Sequence, residues 1–183
     1  MKSKFSLIIH MVSSLDGYIA KKDNSVSWFE TEDFYEQGIE PETNTNYFNS
    51  VDCFLMGSHT YEHAEELAKD YSWVYGDVPT IVVSKRKLVS ERKSIQFFSG
   101  DLKTLVEEKL KPSYKTVWAV GGPQLTKSLI ELNLATGIKQ TILPILLGEG
   151  KLFYEQFSPE RKLHLNSSIA YKNGLVELGY DLL

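Results

Sequence analysis

Three short segments of this sequence carry polar groups that could seat an anion, and each follows an apolar, β-branched run. They are Gly57-Ser58-His59-Thr60, Ser84-Lys85-Arg86-Lys87 and Gly121-Gly122-Pro123. In the third, Thr116 to Val120 end in paired glycines and Pro123 opens an amphipathic helix with Gln124 and Leu125 in its first turn. Glycine opens backbone conformations closed to other residues and lets another molecule approach the main chain. Proline is pre-shaped for the first helical turn. The free N–H groups and positive dipole end of such a helix suit a phosphate. The alternative for each segment is a strand-to-helix turn with no ligand.

Two carboxylates are candidate proton donors. Asp16 lies in Ser14-Leu15-Asp16-Gly17, where Asp before Gly also stabilises turns by bonding local backbone. Asp33 follows Trp28 by five residues, with Glu30 and Glu32 nearby, in a stretch read as a short helix from Thr31 to Gln37. The alternative for these acids is favourable charge at a helix N-terminus. Tyr18 and Trp28 are candidate substrate contacts, or packing and loop-anchor residues. His59-Thr60-Tyr61-Glu62-His63 spells H-x-x-E-H, whose histidines could ligate zinc at i and i+4, but such a site needs a third ligand and Glu66 is too near in sequence to be the usual distal one.

These groups depend on the elements that carry them. Strands are expected at 5–12, 53–56, 79–84, 94–98, 116–120, 138–147, 163–171 and 175–182, the last two joined across Lys172-Asn173-Gly174. Helices are expected at about 60–69, after an Asp101 N-cap with Leu102, Leu105, Val106 and Leu110 buried, and from Pro123 with Leu125, Leu129 and Leu132 buried. Residues 21–46 read as a long polar loop suited to a lid. Strands alternating with helices, then consecutive strands, predict an α/β fold with a mostly parallel central sheet and an antiparallel edge hairpin. A single domain over 1–183 is expected.

Ligands of open α/β sheets bind beyond the carboxyl ends of the strands. If the three anion-seating segments end neighbouring strands, they frame a dinucleotide. Thr60 and the glycines Gly57, Gly121 and Gly122 would then hold the pyrophosphate. Ser58, His59, Lys85 and Arg86 would meet a phosphate on the adenosine ribose, implying NADPH over NADH, with Ser84, Gln124 and Leu125 also expected at the cofactor. No G-x-G-x-x-G occurs, so the sheet would be of another design from the ordinary Rossmann type.

Bulk composition fits this reading. The chain has 183 residues, 42% hydrophobic, with a net charge of −4, which argues against a broad nucleic-acid footprint. The lone Cys53 allows no intrachain disulfide. Without a secretory h-region or a run of ~20 apolar residues, a cytoplasmic protein with no membrane contact is expected.

Four blocks, in order, resemble the dihydrofolate reductase-like superfamily, and more closely the reductase domain of the riboflavin-biosynthesis deaminase/reductase and its stand-alone bacterial relatives. They are Ser14-Leu15-Asp16-Gly17-Tyr18-Ile19-Ala20, Met56-Gly57-Ser58-His59-Thr60-Tyr61-Glu62, Val83-Ser84-Lys85 and Val120-Gly121-Gly122. A fifth, Pro144 to Phe153, resembles the segment after the last helix. The resemblance implies a three-layer α/β fold, NADPH as hydride donor, a homodimer, and nicotinamide near Ile19, Ala20 and Gly121. It places Trp28 beside the substrate pocket, for a small heterocyclic or pterin-like substrate. Two departures stand out. Ser58 replaces a usual Arg or Lys, and Ala135-Thr136-Gly137-Ile138 lacks the acid of the riboflavin-type enzymes. A non-catalytic nucleotide-binding protein on the same scaffold is the alternative.

Overall fold

In a computed structural model, which describes residues 5–30, 33–41 and 47–183, the alternating apolar segments assemble into one eight-stranded sheet. The strands are β1 (Ser6–Ser14), β3 (Cys53–Gly57), β4 (Thr80–Val83), β5 (Ile95–Phe98), β6 (Thr116–Ala119), β7 (Gly137–Leu143), β9 (Leu163–Ala170) and β10 (Val176–Leu182). Short β2 (Tyr18–Ala20) and β8 (Lys151–Leu152) pair separately. The order is β5-β4-β3-β6-β1-β7-β10-β9. From β5 through β7 every pairing is parallel, and β10 is antiparallel to both β7 and β9.

Parallel strands need crossovers, and the helices supply them on both faces. On one face, α2 (residues 102–113) and α3 (Pro123–Glu131) bury Leu105, Val106, Leu110, Leu125 and Leu129 against Leu7, Ile9 and Val117. On the other, α1 (Ser58–Leu67) sets Tyr61 among Phe54, Met56 and Trp118. The expected three-layer α/β architecture with an antiparallel edge is therefore the observed one. No helix among the described residues is long and apolar enough to cross a membrane.

Several local expectations change. Asp101 caps α2 as expected, accepting from the Thr104 N–H at 2.8 Å, but the helix winds as π through Leu105–Leu110. Leu132 is 48% exposed rather than buried, because α3 has ended one residue earlier. β7 stops at Leu143, since Pro144 has no N–H to continue the ladder.

The short helix expected at 31–37 does not form over its described part, 33–37; Thr31 and Glu32 lie outside the described residues. Its backbone bonds go to the β9–β10 turn instead. The N–H of Tyr35 donates to Lys172 O at 2.7 Å, Ile39 N–H to Ala170 O at 3.0 Å, and Lys172 N–H to Ile39 O at 2.8 Å. Cross-chain pairing has overridden a weak helical preference.

Candidate functional site

β4, β3 and β6 are neighbours in that order and run parallel, so the three anion-seating segments leave the same edge of the sheet side by side. At ~4.8 Å per strand, their ends span roughly 10 Å. Gly121 and Gly122 adopt φ of +95° and +79°, a region other residues rarely enter. A Cβ on Gly121 would stand 2.7 Å from Met11 Cε, and one on Gly122 would stand 3.3 Å from Thr60 Oγ1. The glycine pair thus faces the first turn of α1. A Cβ on Gly57 would meet nothing within 4 Å, so the backbone there is open.

Both helices start without a side-chain cap, α1 after Gly57 and α3 after Gly122. The first N–H groups of a helix have no partner inside it. In α1 these belong to Ser58, His59 and Thr60. In α3, Pro123 has none, which leaves Gln124 and Leu125. Leu125 buries its side chain in the core, so only its main chain can serve a ligand. Two uncapped N-termini beside one glycine turn make a seat for an anion.

The cations and hydroxyls beside the seat differ in availability. Ser84 is buried, and its hydroxyl is used locally, accepting from the Arg86 N–H at 3.0 Å and donating to Arg86 O at 3.2 Å. It shapes the turn rather than waiting for a ligand. The Arg86 guanidinium donates to Glu62 Oε2 at 2.8 Å. His59, Lys85 and Lys87 are exposed, and Ser58 is half-buried.

Asp16 is fully engaged. Its Oδ1 accepts from the Ser14 hydroxyl at 2.6 Å and the Leu147 N–H at 3.1 Å, and its Oδ2 from the Gly148 N–H at 2.7 Å. Those bonds, the Ser14 hydroxyl foremost, hold the carboxyl below its usual range. Through these bonds Asp16, a candidate catalytic residue, pins the 145–150 loop to the turn after β1. That turn places β2, where Ile19 packs against the core and Ala20 is buried. The Tyr18 hydroxyl donates to Gly148 O at 3.4 Å.

Asp33 sits at the β9–β10 turn, where its Oδ2 would lie 2.3 Å from a Cβ on Gly174. Val176 pairs with Ile142 near the end of β7, so this turn shares the edge of the sheet with the glycine pair, but beyond β1 and β7. The strand order separates Asp33 from β6 by three spacings, or roughly 14 Å. Trp28 is 6% exposed, and its indole N–H is buried with no acceptor among the described residues. Such an orphan is costly unless something satisfies it.

The H-x-x-E-H segment lies in the first two turns of α1, where the His63 Nε2 is buried without a partner among the described residues. His59 is exposed, and Glu62 is committed to Arg86. Among the described residues no group of His, Cys, Asp and Glu is placed to hold an ion.

Sequence reasoning missed a buried polar cluster on the α1 face of the sheet. The His10 Nε2 lies 2.9 Å from the Tyr47 hydroxyl, which donates to Glu177 Oε2 at 2.5 Å. Glu177 Oε1 meets Lys139 Nζ at 3.1 Å, and that ammonium lies 4.5 Å from the Tyr47 ring centroid and 5.2 Å from that of Trp118. The one hydroxyl proton of Tyr47 goes to Glu177, so His10 must carry its proton on Nε2 and donate. Burial, with the Lys139 charge second, pushes the His10 pKa down to about 3. Burial and the Glu177 carboxylate raise that of Tyr47. The available signal was a His and a Glu at inward positions of otherwise apolar strands.

Comparison with known proteins gives a consistent picture. Residues 6–177 match the RibD C-terminal domain. Two Bacillus subtilis (strain 168) proteins are similar over most of their length. The uncharacterized protein YwjB is 23% identical, covering 88% of this chain and 89% of its own. The uncharacterized protein YyaP is 25% identical, covering 95% and 93%. Among solved structures, a putative riboflavin biosynthesis protein from Shewanella sp. PV-4 superposes with a TM-score of 0.80 at 20% identity, covering 97% of this chain and 99% of its own. A pyrimidine reductase-like protein from Corynebacterium diphtheriae gives 0.65 at 12%, covering 97% and 92%. RibD from Acinetobacter baumannii gives 0.68 at 12%, covering 100% of this chain and 59% of its own.

Proposed function

This chain belongs to the RibD C-terminal domain family, a reductase family, and from that premise we propose that it is an NADPH-dependent reductase of a small heterocyclic or pterin-like substrate. The observation that carries the cofactor reading is the alignment of three anion-seating ends on β4, β3 and β6, with the glycine pair facing Thr60. NADPH, when bound, supplies hydride. The main-chain N–H groups of Thr60, Gln124 and Leu125 hold the pyrophosphate, and Gly57, Gly121 and Gly122 keep side chains out of its way. Ile19, Ala20 and Gly121 shape the nicotinamide end, and Asp16 fixes that end by anchoring the loop behind it. Lys85 and His59 face the adenosine phosphate. Asp33 is the proposed proton donor, at the same edge of the sheet as the glycines but beyond β1 and β7.

Titration with NADPH and NADH, followed by cofactor fluorescence, tests the reading. Binding of NADPH that weakens tenfold or more in Lys85→Ala is expected, the size of a charge-assisted hydrogen bond. Lys85 is exposed, so folding should be untouched. Absence of binding by either dinucleotide, with stoichiometric zinc on isolation, would overturn it in favour of the histidine pair. The non-catalytic alternative draws on Ser58 and on the missing acid at Ala135-Thr136-Gly137-Ile138; a substrate panel that never consumes bound NADPH would favour it.

The orphaned Trp28 N–H supports a second residue role, as an anchor for an acceptor atom of the substrate. Trp28→Phe keeps an aromatic side chain, though a smaller one, and removes the donor. It is expected to leave the NADPH dissociation constant within twofold and to raise KM roughly tenfold once a substrate is found. An unchanged KM would make Trp28 a loop anchor only. The same reading includes a cytoplasmic homodimer. In support, β9 is the last strand of the sheet and carries exposed Leu163 and Leu165, and among the described residues its outer side is bonded only at its Ala170 end, by Ile39.

A further inference from the structure

The adenosine end of the proposed site holds a carboxylate as well as cations. Glu62 lies in the second turn of α1 and reaches across to the turn after β4, where its Oε2 accepts from the Arg86 guanidinium at 2.8 Å. Both side chains are about half exposed. The pairing holds the Glu62 carboxyl below its usual range, with Arg86 hydrogen bonding the largest cause and the charges of Arg86 and His59 adding to it. Glu62 is therefore ionised at neutral pH, and it is already bonded to Arg86, one of the cations that a ribose phosphate would use. Ser58 brings no charge of its own.

We propose that Glu62 determines cofactor preference by competing with the adenosine 2′-phosphate for Arg86. This rests on the dinucleotide reading above. A 2′-phosphate carries up to two negative charges and must either displace the carboxylate or sit beside it. An exposed ion pair contributes little to stability, so displacement is feasible. A carboxylate left within ~5 Å of the phosphate still repels it appreciably near a protein surface. A dinucleotide with a free ribose diol meets no such repulsion, because hydroxyls can donate to a carboxylate. The site as built consequently discriminates weakly between NADPH and NADH, and Glu62 is the residue that narrows the gap.

The test measures dissociation constants of NADPH and NADH for the full chain and for Glu62→Gln. The glutamine keeps shape and hydrogen bonding but not charge. The preference for NADPH over NADH is expected to rise about tenfold, in line with removing one nearby like charge. The double variant Glu62→Gln/Arg86→Ala should lose that gain. Glu65→Gln removes the same formal charge from beside Arg92, to which Glu65 pairs at 3.1 Å, and should shift the preference less than twofold. An unchanged preference in Glu62→Gln, or an equal shift in Glu65→Gln, overturns the proposal while NADPH binding by the parent chain keeps the dinucleotide reading. Binding of neither cofactor by the parent or by any variant overturns the reading and this inference with it. Thermal midpoints of all variants establish that each is folded.

Discussion

Glu177→Ala is expected to be the most damaging single substitution on the α1 face of the sheet, costing about 3–5 kcal/mol of stability. Glu177 is 2% exposed and serves two partners, the Tyr47 hydroxyl and the Lys139 ammonium. Alanine leaves a cation and a phenol without their partner. Neither has an easy escape, since Lys139 is packed against the Tyr47 and Trp118 rings and Tyr47 is held by His10. Partial exposure of Lys139 lets water recover some of the loss and favours the lower end of the range. Glu177→Gln keeps an acceptor for Tyr47 and is expected to cost about 1–3 kcal/mol. Urea unfolding monitored by tryptophan fluorescence reads both. A loss below about 1 kcal/mol for the alanine variant would mean that the cluster is not a cohesive unit.

The second large effect is acid sensitivity that begins above the range of carboxylates. The His10 pKa is lowered from 6.5 to about 3 in the folded chain. Between those values the unfolded chain binds a proton that the folded chain refuses. Stability is therefore full above about pH 6.5 and falls by about 1.4 kcal/mol for each pH unit below it, reaching about 2 kcal/mol lost at pH 5. Asp16, Asp23 and Glu62 have depressed values, so what they contribute is kept above the carboxylate range and lost only as pH drops below about 4. Denaturation midpoints measured from pH 7.5 to 5 should decline in the parent chain. His10→Gln cannot take up a proton here and should flatten that decline, while being less stable at pH 7.5. An equal slope in both proteins would assign the acid sensitivity elsewhere.

These two effects explain why much of the chemistry was not legible beforehand. His10 stands in the apolar run Phe5 to Val12, and Glu177 in Leu175 to Leu182, where either reads as an isolated polar residue in a strand. Their shared partner, Tyr47, lies 37 residues from His10 and 130 from Glu177. Asp16 shows the same limit. Its turn-forming role follows from Asp before Gly, but its bonds to Leu147 and Gly148 come from a loop more than a hundred residues away. Over 33–37 the expected helix did not form, and the Tyr35 N–H there is bonded to Lys172 in the β9–β10 turn, a pairing that no local propensity encodes.

What the amino-acid sequence determined alone is local and periodic. Gly121-Gly122-Pro123 specified a strand, a left-handed turn and a helix start, because only glycine accepts those dihedrals and proline suits the first helical turn. Asp101 specified a capped helix, and the apolar alternation specified the strands. Tertiary structure alone decided which strand ends stand together. Placing β3 between β4 and β6 turned separate polar segments into one candidate cofactor seat, and the same proximity set Glu62 on Arg86. Sheet order and ion pairing depend on residues far apart in the chain, so they exist only once the core has closed.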